Sequence, residues 1–306
     1  MIYLVFPTSW HPSQPYLSLP SLKAFLNMHG VHDVIQRDLA IELLNDLCTW
    51  EKTKPLYERI IRELNELSSK PRLTQEEGEK FNKLREAEEI VMALKDQIDA
   101  AVASQRSQEF YEIDQYMENL KIMDVWLDNI LAPYYPSQLT VIGSQMRFSP
   151  YSSQEVIDSF KHPEENFFYD LYQQWYLPDI LKEDIDILGI SITSVEQIIS
   201  GLTLAYLVKQ HRPEIHITVG GSVFTKLVDR LESQGSHLFD FVDSFVVHEG
   251  ETPLLRLVEQ LRGDRDLSKV PNLIYKKDGE VKVNRPFAKE ELNALPTPDF
   301  DGLPLD

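Results

Sequence analysis

The chain has 306 residues, 42% of them hydrophobic, enough to bury a substantial core as one large domain or two modest ones. Its 30 Lys and Arg stand against 49 Asp and Glu, and the formal charge of −19 repels phosphate backbones, which argues against nucleic acid as a partner. Cys48 is the single cysteine, which excludes an internal disulfide framework and any zinc or iron–sulfur site built from several thiolates of this chain, and it fits a reducing cytoplasm.

The opening Met1-Ile-Tyr-Leu-Val-Phe6 is apolar but lacks a basic flank, is cut short by Pro7 and falls far below the roughly 20 residues that span a bilayer. It predicts a buried strand over 2–6 and no membrane association. A helix over 19–29 follows, closed by Gly30 as a C-terminal glycine, and then a strand over 33–35. The next strand signal comes about 140 residues later, far beyond an ordinary connection, so residues 50–176 are expected to be an inserted helical subdomain. Leu56, Ile60, Leu64 and Leu67 form one apolar stripe there, and Leu84, Ala87, Val91, Leu94, Ile98 and Ala101 form a second. Thr74 with Glu77 has the spacing of a capping box. The second stripe suits packing within the chain, with a coiled-coil dimer seam as the alternative. A third helix carrying Phe110, Ile113, Met117, Leu120, Leu127 and Ile130 should dock on the core.

Residues 185–191, 197–209 and 215–219 have the spacing of a strand, helix and strand, ending on Gly220-Gly221. A helix over 224–234, a strand over 244–247, a loop at His248-Glu-Gly-Glu251 and a helix over 253–262 follow, with Pro253 just inside the last helix. Strands over 272–275 and 281–283 flank the turn signal Asp278-Gly279, and the proline-rich end from Leu295 reads as an extended linker. The expected fold is α/β, a Rossmann-like parallel sheet flanked by helices, with a large helical insertion and a C-terminal β-hairpin plus linker. The sheet domain would comprise 1–49 and 177–270, the insertion 50–176, and the hairpin and linker 271–306.

Ligands of open parallel sheets bind at the carboxyl ends of the strands. The candidates there are Thr8, Ser9, Trp10 and His11; Ser191, Thr193 and Ser194; Gly220, Gly221, Ser222 and Val223; and Glu249, Gly250 and Glu251. Gly220-Gly221 would let another molecule approach the backbone closely, although such a pair also serves a tight turn. The hydroxyls could bond a ligand or cap a helix. Glu249 and Glu251 allow acid–base chemistry, but they could equally face the positive end of the following helix. No nucleotide-binding, zinc-protease or lipase motif occurs, and the histidines show no metal-ligand spacing.

Several segments together resemble the N-terminal cobalamin-binding domain of cobalamin-dependent radical S-adenosylmethionine (SAM) enzymes of the methyltransferase type. They are the opening strand with its proline-rich loop, Leu188-Gly-Ile-Ser-Ile-Thr-Ser194, Val219-Gly-Gly-Ser222 and Val246-Val-His-Glu-Gly-Glu-Thr-Pro-Leu254. Tyr151-Ser-Ser153, Asn166-Phe-Phe-Tyr-Asp-Leu-Tyr172, Asp266-Leu-Ser-Lys-Val-Pro-Asn-Leu-Ile-Tyr275 and Leu295-Pro-Thr-Pro-Asp-Phe300 are similar to segments around that domain. The resemblance implies that Ser191 and Thr193 line the channel for the nucleotide tail of cobalamin, that Gly220-Gly221 lie against it, and that the Glu249-Gly-Glu251 turn borders it. His248 stands where the family often has glycine. The resemblance also implies a radical SAM domain in cis that would hold a 4Fe-4S cluster and SAM, with the corrinoid carrying a methyl group to a small-molecule or peptide substrate.

The Asp-x-His-x-x-Gly motif of methionine synthase-like domains is incomplete here, since Ser9-Trp-His-Pro-Ser-Gln14 supplies only the histidine. His11, restricted to extended conformations by Pro12, is therefore not expected to ligate cobalt, and Trp10 is expected to cover the corrin face. Two other readings stay open: a stand-alone Rossmann-like enzyme acting through Glu249 or Glu251, and a protein-interaction module built on the helical insertion.

Overall fold

The computed structural model describes residues 1–11 and 13–305, so Pro12 and its restriction on His11 lie outside the described residues. Strand β1 (Ile2–Phe6) is buried along its whole length and is followed by α1 (Ser18–Met28) and β2 (Val34–Asp38). Gly30, at φ 81°, leaves α1 in the left-handed conformation that suits glycine, as its sequence position suggests. Helix α2 (Leu39–Leu47) is capped by Asp38, whose carboxylate accepts from the Ala40 and Ile41 amides.

Four helices come next: α3 (Trp50–Ser68), α4 (Gln75–Leu94), α5 (Ile98–Ser104) and α6 (Ile113–Ile130). The capping box of Thr74 and Glu77 starts α4 as expected. Leu84, Ala87, Val91, Ile98 and Ala101 are buried within the chain, although the stripe is divided between α4 and α5 rather than running through one helix. Helix α6 docks chiefly through its second half, where Met123, Trp126, Leu127 and Ile130 are buried, with Leu120 packed against the core at its middle. The expected contributions of Ile113 and Met117 are absent, for both side chains are exposed.

A two-residue ribbon, β3 (Gln138–Leu139) with β4 (Ser144–Gln145), precedes α7 (Ser153–Ser159), α8 (Phe167–Leu171) and α9 (Leu177–Lys182). The remaining order is β5 (Ile187–Ser191), α10 (Gln197–His211), β6 (His216–Gly220), α11 (Ser222–Thr225), α12 (Val228–Gln234), β7 (Ser244–Val246), α13 (Glu251–Arg262), β8 (Leu273–Lys277) and β9 (Glu280–Val283). The single helix expected over 224–234 is broken at Leu227, which leaves the helical conformation at φ −108° and ψ 11°. Helix α13 begins at Glu251, two residues before the expected start, because Pro253 is tolerated anywhere among the first amides, which have no intrahelical acceptor.

The fold is α/β, with a mostly parallel seven-stranded sheet in the order β2-β1-β5-β6-β7-β8-β9, flanked by helices on both faces. Strands β2 to β7 run parallel, whereas β8 is antiparallel to β7 and β9 to β8. The hairpin therefore extends the main sheet instead of standing apart with the tail. Its turn, Asp278 at φ 53° and Gly279 at φ 82°, has the paired positive φ values of a two-residue hairpin loop. Alternation of β1 divides the core: Tyr3 and Val5 face α2 and the helices that follow it, while Ile2, Leu4 and Phe6 face α1 and α13.

The proline-rich end, read as an extended linker, folds back on the sheet domain. Asp299 accepts from Lys23 at 3.2 Å and from Asn27 at 3.1 Å, and the Gln36 side chain donates to the carbonyls of Asp299 and Asp301. Among the described residues, no helix is long and apolar enough to cross a membrane.

Candidate functional site

A cavity of about 820 Å³ opens at the carboxyl ends of β1, β5, β6 and β7 and runs down between the sheet, α1 and α13. Strand periodicity explains its floor. On the face covered by α1 and α13, the inner row in register is Leu4, Gly189, Thr218 and Ser244, and the row nearer the carboxyl ends is Ser191, Gly220 and Val246. The opposite face of the same strands carries Leu188, Ile190, Ile217, Val219 and Phe245, all buried. Large residues thus fill one face while glycine, serine and threonine leave the other thin. A Cβ on Gly189 would come within 2.8 Å of the Leu4 side chain, so the slot closes down if that glycine is replaced.

Helix α1 and the loop before it supply the roof. Tyr16 stacks on Phe6 at 5.4 Å, and Trp10 meets both rings edge-on while its indole N–H donates to the Gln14 carbonyl. The Ser191 hydroxyl donates to Ser18 at 2.9 Å, tying the end of β5 to the start of α1.

Of the residues singled out from sequence, Trp10, Ser191, Thr193, Gly220, Gly221, Ser222, Glu249, Gly250 and Glu251 line the cavity. The other five do not. Thr8 is buried against Tyr172, with its hydroxyl 2.9 Å from the tyrosine oxygen. Ser9, at φ 72°, donates to Ser144. His11 points away from the cavity: its Nδ1 lies 2.8 Å from the Ser13 hydroxyl and its Nε2 lies 3.2 Å from the Tyr116 hydroxyl. Ser194 is taken up locally by Glu196 and Gln197, and Val223 is buried in the core on the far face of the sheet.

The hydroxyls at 193 and 194 do not cap α10; the Gln197 side-chain oxygen Oε1 accepts from the Thr193 amide and hydroxyl and from the Ser194 amide instead. Gly221, at φ 115°, has no room for a side chain, since a Cβ there would lie 2.0 Å from the Ile192 carbonyl oxygen. Gly220 differs, for a Cβ there would make ordinary contacts of 3.5 Å and 3.8 Å with Val246.

The rim carries opposed charges. Glu249 accepts from the Glu290 amide at 2.7 Å, and the Glu290 carboxylate accepts from the amide and hydroxyl of Thr252, so the C-terminal segment caps α13. Burial pushes the Glu251 carboxyl above its usual range, and the Glu290 and Glu249 charges add to the rise. Lys226 also lines the cavity, exposed and without an ion-pair partner among the described residues. His248, at φ 61°, donates its amide N–H to the Thr225 hydroxyl oxygen and lays its ring 4.3 Å from Phe287.

Gly189, Thr218, Thr225, Lys226 and the α1 residues Ser18, Ser21 and Leu22 were not singled out from sequence. The large–small alternation of Leu188-Gly-Ile-Ser191 and of Ile217-Thr-Val-Gly220 was the available signal for the floor. Comparison of the chain with family models, curated proteins and solved structures finds no match.

Proposed function

We propose that this cavity receives the nucleotide tail of a corrinoid, and that the chain is a cobalamin-binding module serving a radical SAM enzyme of the methyltransferase type. The observation that carries the reading is the thinned floor: Gly189, Ser191, Thr218 and Gly220 vacate a slot under α1 and α13 where a buried sheet would otherwise be filled with branched side chains. The five parallel strands, taken in chain order, are arranged 2-1-3-4-5, a doubly wound Rossmann-like order whose ligands sit at the switch between the first and third strands. Leu4 of β1 and Gly189 of β5 lie there. The helices between β2 and β5 then form the insertion on the opposite face.

The residues fit such a group. The cavity has the volume of a small-molecule site, with glycines lining it at Gly189, Gly220, Gly221 and Gly250 and hydroxyls at Ser191 and Thr218 to orient a polar tail. Bound cobalamin would supply a cobalt that accepts and donates a methyl group. The protein would grip the tail, cover one edge with Trp10 and Tyr16, and hold the Glu249 turn in place through Glu290. His248 adopts the left-handed conformation that glycine, the common residue of the resembled family at this point, takes without cost. Cys48 is buried and its thiol is pushed far up, so the cluster and SAM would be held by a separate radical SAM domain.

Acid–base catalysis by Glu249 or Glu251 has less support. Glu249 is engaged by the Glu290 amide, and Glu251 accepts from the Gly250 amide. The test is incubation with hydroxocobalamin, desalting and a visible spectrum. About one equivalent of retained corrinoid is expected, falling at least tenfold in Gly220→Val, which puts two methyl groups into the slot. A colourless parent protein would refute the reading.

A further inference from the structure

The loop that joins β1 to α1 is held by side chains of the inserted segment at three of its residues. Thr8 Oγ1 and the Tyr172 hydroxyl are 2.9 Å apart, and both residues are buried. Ser9 Oγ donates to Ser144 Oγ at 3.2 Å, and His11 Nε2 lies 3.2 Å from the Tyr116 hydroxyl. The Ser13 amide donates to His11 Nδ1, so in the neutral ring Nε2 carries the hydrogen and donates it to the Tyr116 oxygen. Three different elements supply these partners. Tyr116 lies on α6, where Phe110 meets its ring edge-on at 5.3 Å; Ser144 lies on β4; Tyr172 opens a π-helical turn over Tyr172–Tyr176. The sheet domain holds the same stretch through carbonyl groups, since Gln197 and Ser200 of α10 donate to those of Pro7 and Thr8. Between the tethered residues Ser9 and His11 stands Trp10, which lines the cavity. Ser9, at φ 72°, occupies the left-handed region that a residue with a Cβ keeps only where its surroundings hold it there. Positions 8, 9 and 11 thus serve the insertion, and position 10 serves the cavity.

We propose that Tyr116, Ser144 and Tyr172 are positioning residues, through which the insertion holds the β1–α1 loop with Trp10 at the cavity and His11 turned away from it. None of the three lines the cavity, so each acts through the loop residue it bonds. A ligand then meets a roof already in place, because residues 8–11 are ordered on folding rather than on binding. By linkage the coupling runs both ways, and a ligand that fixes Trp10 also steadies Tyr116 and Ser144. The placement of Trp10 holds whatever fills the cavity; only the effect on ligand release rests on the corrinoid reading.

The experiment reads the four tryptophans by fluorine NMR of the full chain labelled with 5-fluorotryptophan, the Trp10 line being assigned from Trp10→Phe. In the parent, Trp10 should give a line well separated from its position in urea. Tyr116→Phe, Ser144→Ala and Tyr172→Phe each remove one hydroxyl with little change of shape. Each should move the Trp10 line toward its unfolded position while the Trp50 and Trp126 lines stay in place. Ser144→Thr, which keeps the hydroxyl, should leave the Trp10 line unmoved. Ser144 is only partly buried, so its variants keep the test open should Tyr172→Phe fail to fold. A purely structural role would instead lower the denaturation midpoint and disturb Trp126 as much as Trp10. With hydroxocobalamin as the probe, release from each variant should be about fivefold faster than from the parent, the size of one neutral hydrogen bond. Binding to the parent should also slow hydrogen exchange at residues 113–119, which do not line the cavity. An unmoved Trp10 line in all three variants overturns the proposal, and so does a moved line with unchanged release. A parent that binds no hydroxocobalamin overturns the corrinoid reading, and the Trp10 line of the ligand-free variants then decides the placement by itself.

Discussion

Adjacent glycines at the end of β6 have different jobs. Gly221 is required by the backbone, being at φ 115° with the Ile192 carbonyl where a Cβ would stand. Gly221→Ala should therefore cost about 3 kcal/mol or more through strain and overlap, read as a lowered denaturation midpoint. Gly220→Val should leave that midpoint nearly unchanged while emptying the site; an equal loss of stability in both would show that neither glycine is reserved for a ligand. At His11 both ring nitrogens are occupied by Ser13 and Tyr116, and desolvation lowers its pKa. Electron paramagnetic resonance of bound cob(II)alamin should show no nitrogen splitting in parent or His11→Ala. Triplets in the parent that vanish in the variant would make His11 the lower ligand.

Among the elements, α2 depends on a buried cap. Desolvation lifts Asp38 to about pH 6 in the folded chain, against the lowering effect of its bonds to the Ile41 and Ala40 amides. Because the folded value lies above the unfolded one, the proton stabilises the fold fully below about pH 4, and that contribution is lost as pH rises through 6. A shift of roughly two units corresponds to about 3 kcal/mol. Asp38→Asn keeps an acceptor for the cap without the charge, so urea denaturation at pH 5 and pH 8 should show a smaller fall in stability in the variant than in the parent. Identical pH responses would mean that other carboxylates govern that range. Helix α13 shows a second kind of cap, supplied from a distance by Glu290. No local pattern before Glu251 announces it.

For the whole molecule, the cavity is confined to one face and one end of the sheet. Hydrogen exchange on adding hydroxocobalamin should slow at residues 14–22, 189–194, 218–226 and 246–254, where the lining lies. Helices α3 and α4, packed on the opposite face, should be unaffected. Protection centred on 50–94 would move the binding site to the helical segment and favour the interaction-module reading. The C-terminal segment belongs to the same unit, since its Asp299 and Glu290 are bonded to α1 and α13.

The amino-acid sequence alone determined those features whose cause lies within a few residues. The apolar runs of β1, β5 and β6 marked buried strands, Thr74 with Glu77 set the start of α4, Asp278-Gly279 set a hairpin turn, and Gly220-Gly221 marked the end of β6. Tertiary structure decided whatever depends on partners far apart in the chain. The row Leu4, Gly189, Thr218 and Ser244 exists only once three strand pairings fix its register. His11 was drawn from the site by Tyr116, and the tail was drawn onto α1 by Lys23 and Asn27. Local periodicity tells which side of a strand is thin, but only the packing of α1 and α13 over that side turns it into a cavity.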